Sequence, residues 1–201
     1  MNKKLDQQYW ADRYKKGETG WDAGKITSPL KSYFDQLNHK EIRILIPGAG
    51  NAHEAEYLIN HDFSNVTVCD LALAPLMALQ QRCPAMKAEH LLQGDFFEIK
   101  DREFDLIVEQ TFFCAIAPAL RKNYFTKMLE LLVPGGRLAG LLFNDVLNSD
   151  FPPFGGTKEE YLTYIPEGFD ILTFETCTNS IAPRQGRELF MELQKNDHEP
   201  A

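Results

Sequence analysis

The chain has 201 residues, 44% of them hydrophobic and 25% charged, a size and balance that fit one soluble α/β domain able to bury its own core. Its net charge of −8, from 21 Lys and Arg against 29 Asp and Glu, speaks against a nucleic-acid partner held through phosphates, which needs clustered cations. Cys69, Cys83, Cys114 and Cys177 show no metal-ligand spacing, no run approaches 18 apolar residues, and the N-terminus lacks the apolar stretch of a signal peptide. The expectation is a cytoplasmic protein with free thiols, no metal and no membrane partner, a monomer by default.

Residues 1–40 are rich in aromatics, with Tyr9, Trp10, Tyr14, Trp21, Tyr33 and Phe34. Two short helices are expected, near Asp6 to Lys15 and Pro29 to Leu37, with a flexible loop from Lys16 to Gly24 between them. From Ile42 onward strand-like and helix-like text alternates, the pattern of βαβ units on a mostly parallel sheet. The first strand, Ile42 to Ile46, ends at Pro47-Gly48 and leads to a helix through Ala55, Leu58 and Ile59. A second strand spans Val66 to Asp70 and a second helix Leu76 to Gln81. Glu89 to Gln93 is a weaker third strand and Phe104 to Val108 a strong fourth. Leu120 to Leu132 repeats at helical period, with Tyr124, Met128, Leu131 and Leu132 on one face. Pro134-Gly135-Gly136 should stop that helix and turn the chain into a fifth strand, Arg137 to Phe143. Phe169 to Cys177 and Arg187 to Leu193 have no room for a helix between them, so they should pair as an antiparallel hairpin at a sheet edge.

Pro47-Gly48-Ala49-Gly50 after the first strand lets backbone approach a ligand closely, although turns after strands often need glycine for geometry alone. Asp70 closes the second strand about twenty residues on, where a carboxylate can accept both ribose hydroxyls of an adenosine; capping of the next helix is its plainer use. The third glycine of a dinucleotide loop is missing, since Gly50 is followed by Asn51-Ala52-His53-Glu54. Acidic Glu54 and Glu56 suit the helix dipole but not a diphosphate. A phosphate-free, cationic sulfonium cofactor fits better. Asp95 in Gly94-Asp95-Phe96-Phe97 is spaced to accept from an adenine amino group with an aromatic beside it, or simply to make a turn. Glu109 and Gln110 end the fourth strand, where ligands lie in open α/β sheets, and the following Phe112-Phe113 supplies an apolar wall or core.

Taken together, Trp10, Trp21-Asp22-Ala23-Gly24, Leu45 to Gly50, Asp70, Gly94 to Phe97, Phe104 to Glu109, Phe112 to Pro118 with Arg121 and Tyr124, Pro134 to Leu138, and Pro152-Pro153-Phe154 with Tyr161 resemble the thiopurine S-methyltransferase family, with its halide/thiol methyltransferase branch. The resemblance covers nearly the whole chain. It implies a Rossmann-like class I methyltransferase fold: seven strands, mostly parallel with an antiparallel C-terminal hairpin, helices on both faces, and an N-terminal helical lid (residues 1–40) on a core of residues 41–201 within a single domain. It implies S-adenosyl-L-methionine as cofactor. Trp10, Tyr14 and Trp21 would be lid aromatics over it, with Gly48 at the methionyl end and Gly50 beside it on the cofactor-binding loop, Asp70 at the ribose, Asp95 with Phe96 at the adenine, and Glu109 or Gln110 near the amino acid. Tyr14 stands where the family often has Trp, and Asn51-Ala52-His53 replaces a glycine-containing stretch.

Methyl transfer from a sulfonium is an in-line displacement on an activated carbon, so positioning and desolvation carry the rate. A thiol, thiopurine, halide or bisulfide arriving as an anion needs no base. Tyr161 is the first choice for a catalytic, substrate-side residue by the same resemblance, and Tyr164 the second; a surface tyrosine is the plainer reading of either. Arg121 reads as a solvated helix-start residue or an anion attractor, His53 as a titratable group near the cofactor loop or, more plainly, a cap of a helix terminus, and Cys114 as packing. A nicotinamide-dependent oxidoreductase and a non-catalytic binding module of the same fold are the alternatives.

Overall fold

The computed structural model describes residues 4–197. These form two compact units, residues 4–99 and 100–197.

In the first unit Asp6 caps α1 (Gln7–Lys16) by accepting from the Tyr9 N–H at 3.1 Å, and Gly17 ends it in the left-handed region at φ 69°. Helix α2 (Ser28–Phe34) is shorter than expected and buries Pro29, Leu30 and Phe34. Strands β1 (Ile44–Pro47) and β2 (Val66–Asp70) are buried at every position, as covered parallel strands should be. They pair in parallel, Ile44 opposite Val66, and β3 (Leu91–Gln93) pairs with the far side of β2. The first residues expected in β3 instead form a 3₁₀ turn, Ala88–His90. Helices α3 (His53–Ile59) and α4 (Leu73–Arg82) pack on β2, α2 on α3, and α1 on α4. Ala55, Leu58, Leu76 and Leu79 supply their buried faces.

In the second unit β4 (Phe104–Gln110) pairs in parallel with β5 (Leu132–Phe143). Helix α5 (Arg121–Leu131) buries Tyr124, Met128 and Leu131, as its period predicts. Pro134-Gly135-Gly136 does not stop this helix. The helix ends at Leu131, β5 already begins at Leu132, and the Pro-Gly-Gly segment is an irregularity within that strand. Phe104 pairs with Leu132 but Leu106 with Arg137, so the extra β5 residues loop out between them, with Gly135 at φ 73°. After α6 (Lys158–Leu162), β6 (Phe169–Thr176) and β7 (Glu188–Lys195) are antiparallel. β7 lies between β5 and β6 and leaves β6 as the edge, with Ile171 and Leu172 exposed. The seven strands are ordered β3-β2-β1 in the first unit and β4-β5-β7-β6 in the second. No helix among the described residues is long and apolar enough to cross a membrane.

Candidate active site

In the first unit the loop after β1 is built from three left-handed residues, Gly48 at φ 57°, Gly50 at 54° and Ala52 at 53°. Glycine takes this conformation without strain, whereas Ala52 does so against its Cβ. Asp70 ties the loop to β2. Its Oδ2 accepts the Gly50 N–H at 3.0 Å and its Oδ1 the Ala72 N–H at 2.8 Å, so it anchors the glycine loop and the entry to α4 together. Only 8% of Asp70 is exposed, and burial holds its carboxyl above the ordinary carboxylate value while the two N–H groups pull the other way. Each oxygen keeps a further lone pair for a hydroxyl donor.

The N-terminal aromatics stand over this loop. Trp10 and Tyr14, one turn apart on α1, meet Trp21 edge-on at 5.6 and 5.7 Å, and the Arg13 guanidinium lies 5.2 Å from the Trp21 ring. A Cβ on Gly50 would stand 3.3 Å from the Tyr14 hydroxyl and 3.6 Å from Trp21 Nε1. Burial, then the Asp70 charge, raises the Tyr14 phenol far above its usual value, so it stays neutral. Trp10, Tyr14, Trp21, Gly48, Gly50 and Asp70 therefore belong to one neighbourhood within this unit. Glycine-tight backbone, aromatic faces and the Asp70 carboxylate suit a cationic adenosine cofactor.

Asp95 is exposed and accepts the Phe97 N–H at 3.0 Å, capping a 3₁₀ turn. The Phe96 ring lies in the core at 3% exposure, which leaves Phe97 as the half-buried ring beside Asp95. A cavity of about 310 Å³ lies elsewhere in this unit, lined among others by Val66, Met86 and His90, and holds none of the expected site residues.

In the second unit Glu109 is wholly buried. Its Oε1 accepts the N–H groups of Phe112 at 2.7 Å and Phe113 at 3.0 Å, and its Oε2 accepts the Tyr124 hydroxyl at 2.6 Å. These bonds hold the corner at the end of β4, where Thr111 sits in the left-handed region at φ 60°, a costly place for a β-branched residue. Desolvation raises the Glu109 carboxyl to about 7 against the pull of its three donors. Glu109 thus faces inward, and Gln110 is the half-buried neighbour at the strand end. Cys114 is buried, its Sγ lies 3.2 Å from the Thr111 carbonyl, and burial pushes the thiol up to about 12, so it is an inert packing group.

Arg121 is not solvated: it is 1% exposed. Its Nη1 donates to Glu160 Oε1 at 2.8 Å and its Nη2 to the Gly155 carbonyl at 2.7 Å. Its guanidinium lies 4.9 Å from the Phe113 ring and 5.3 Å from that of Tyr161. Tyr161 is no surface tyrosine either. It packs edge-on against Phe113 at 5.1 Å, and its hydroxyl donates to the Phe143 carbonyl at 2.7 Å. Tyr164 donates to Glu160 at 2.9 Å.

Three contacts around the candidate site lay outside the sequence reading. Glu109 with Tyr124 was hidden because a strand-end carboxylate reads equally as ligand or buried anchor. The grip on Asp22 by Asn51 and His53 was hidden because the loop and the helix start are 29 and 31 residues away. Arg82, whose guanidinium donates to the Asn51 carbonyl and to Glu56 Oε2, reads as an exposed helix end.

The sequence profile of the thiopurine S-methyltransferase family matches residues 5–199. The chain belongs to this family. Thiol methyltransferase 2 of Arabidopsis thaliana, assigned there as probable, is 30% identical over 192 residues, spanning 93% of this chain and 84% of the relative. Thiocyanate methyltransferase 1 of Brassica oleracea is 30% identical over 197 residues, spanning 95% and 86%. Among solved structures, 1,6-didemethyltoxoflavin-N1-methyltransferase of Burkholderia thailandensis, with bound 1,6-didemethyltoxoflavin and S-adenosylhomocysteine, superposes with a TM-score of 0.75 at 18% identity, covering 95% of this chain and 87% of that one. This thiopurine S-methyltransferase family member has the class I methyltransferase fold and is an S-adenosylmethionine-dependent methyltransferase.

Proposed function

We propose that the chain methylates a small, soft, anionic acceptor of the thiol type, with thiocyanate, bisulfide, halide and thiopurine in the same class, as a cytoplasmic monomer in which all 201 residues form one catalytic domain. The names of its relatives support the acceptor class, and four buried free cysteines fit a reducing compartment. The observation that carries the cofactor side is the junction of Asp70 with the Gly50 and Ala72 N–H groups beneath the Trp10, Tyr14 and Trp21 rings.

S-adenosylmethionine supplies, when bound, a methyl group already activated on a positively charged sulfur. Asp70 holds the ribose hydroxyls with its remaining lone pairs, Gly48 and Gly50 admit the methionyl end without side-chain obstruction, and Asp95 accepts from the adenine amino group, with Phe97 rather than Phe96 as the ring at its edge. The lid aromatics exclude water, and their faces favour a cation. Gln110 is the strand-end side chain toward the amino acid end, and Glu109 positions the corner that carries it. Tyr161 is a positioning residue on the acceptor side, acting through its ring. No residue is assigned a proton transfer, because a soft anion attacks without a base.

The test is calorimetry with S-adenosylhomocysteine, followed by turnover on bisulfide, thiocyanate, iodide and thiopurine with the methylated product identified by mass spectrometry. Asp70→Ala removes two charge-assisted acceptors worth about 1.5–3 kcal/mol each, so affinity should fall at least about 100-fold. Unchanged binding would refute the ribose placement. NAD binding in place of S-adenosylhomocysteine would favour an oxidoreductase, and binding without turnover on any acceptor a non-catalytic module.

A further inference from the structure

The Trp21 loop carries no helix or strand of its own between α1 and α2, yet its side chain stands over the glycine loop. What holds it there is Asp22. Asp22 Oδ1 accepts the Gly24 N–H at 2.8 Å, which fixes the turn of its own loop. The same oxygen lies 2.7 Å from Nε2 of His53, the first residue of α3, and Oδ2 accepts the side-chain amide of Asn51. Asn51 is itself fastened from behind, because Arg82 of α4 donates to its carbonyl while pairing with Glu56 of α3 at 2.8 Å. One carboxylate thus joins the lid loop to the glycine loop and to the start of α3, next to the tryptophan that covers Gly50.

We propose that Asp22 is the latch of the lid: a positioning residue, gripped by Asn51 and His53, that seats Trp21 and Tyr14 over the cofactor. This rests on the cofactor site proposed above. It also gives the Asn51-Ala52-His53 departure a purpose. A glycine at position 51 could not reach Asp22, and a chain turning left-handed at Ala52 brings the flanking Asn51 and His53 side chains to the same carboxylate. Asp22 keeps its charge through these donors, which hold its carboxyl below the ordinary value against a desolvation that acts the other way.

The chain has two tryptophans, Trp10 and Trp21, and both lie in the lid cluster, so fluorescence excited selectively at tryptophan, beyond tyrosine absorption, reports the lid alone. Wild type should bind S-adenosylhomocysteine with its tryptophans shielded from acrylamide. Asp22→Ala should weaken that binding about tenfold, raise KM for S-adenosylmethionine by a similar factor with kcat at saturation held within about threefold, and increase acrylamide quenching. His53→Leu should behave alike, whereas His53→Gln, whose amide nitrogen reaches the same carboxylate, should stay within about threefold of wild type. The latch is overturned if Asp22→Ala and His53→Leu match wild type in affinity and quenching. It is equally overturned if the losses come with a fall in melting temperature of more than about 5 °C, or if His53→Gln fails as His53→Leu does. A wild-type protein that does not bind S-adenosylhomocysteine at all would sink the cofactor site instead, before any variant is compared.

Discussion

Replacing Glu109 with glutamine should flatten the dependence of stability on pH. The Glu109 carboxyl is wholly buried and titrates at about 7 rather than its ordinary 4.5. Between those values the folded chain keeps a proton that the unfolded chain has released. The contribution of this group is therefore complete below about pH 4.5, declines as pH rises, and is lost above about pH 7. At about 1.4 kcal/mol for each tenfold change in proton affinity, the swing comes to about 3 kcal/mol, which is roughly 1–2 M in the midpoint of urea unfolding for a chain of this size. Glutamine has nearly the same shape, its carbonyl can accept from Phe112 and Phe113, and it does not titrate. Asp70 and Glu188 are also raised by burial and give slopes of the same sign, so the quantity to read is the difference between wild type and Glu109→Gln. Urea midpoints at pH 5, 6, 7 and 8 measure it, with the variant gaining on wild type as pH rises. Two parallel profiles would show that Glu109 does not carry the buried proton and would refute the reasoning.

Gly140→Ala should be among the most damaging substitutions in the second unit, since the added Cβ would lie 2.1 Å from the Glu109 carbonyl oxygen and 2.5 Å from the Glu109 Cβ. A loss of about 3 kcal/mol or more is expected, seen as low soluble yield or a large fall in melting temperature; a variant as stable as wild type would contradict the packing of β5 on β4. Tyr161→Phe removes one hydrogen bond, to the Phe143 carbonyl, and leaves the ring on Phe113. It should cost about 1 kcal/mol in denaturant titration and keep kcat within about threefold, whereas a hundredfold loss of kcat at unchanged stability would make the phenol a chemical participant. Arg121→Met removes a buried guanidinium from the Gly155 carbonyl and from a Glu160 that remains partly solvated, and should lower stability by about 1–2 kcal/mol in the same titration.

The sequence alone determined the features that are local or periodic. The alternation of apolar strands with helical text gave the α/β class, because residues buried on both faces must be continuously apolar, and Val66 to Asp70 shows this at every position. Glycine spacing, with Asp70 at the end of β2, pointed to the loop proposed above for the cofactor, and both are set by a short turn whose backbone tolerates few side chains. The richness of residues 1–40 in aromatics was legible too, but a lid there was implied only by the family resemblance. What only the tertiary structure decided is direction and distance. Whether Glu109 turned inward to the Phe112 and Phe113 N–H groups, or outward to a ligand, depends on a left-handed Thr111 that no propensity predicts. Arg121 reads as solvent-exposed until Glu160, 39 residues on, is folded against it. Asp22 acquires its partners only when two loops 29 and 31 residues apart meet, and such long-range polar contacts leave no periodic trace in the chain because each needs only one residue at each end.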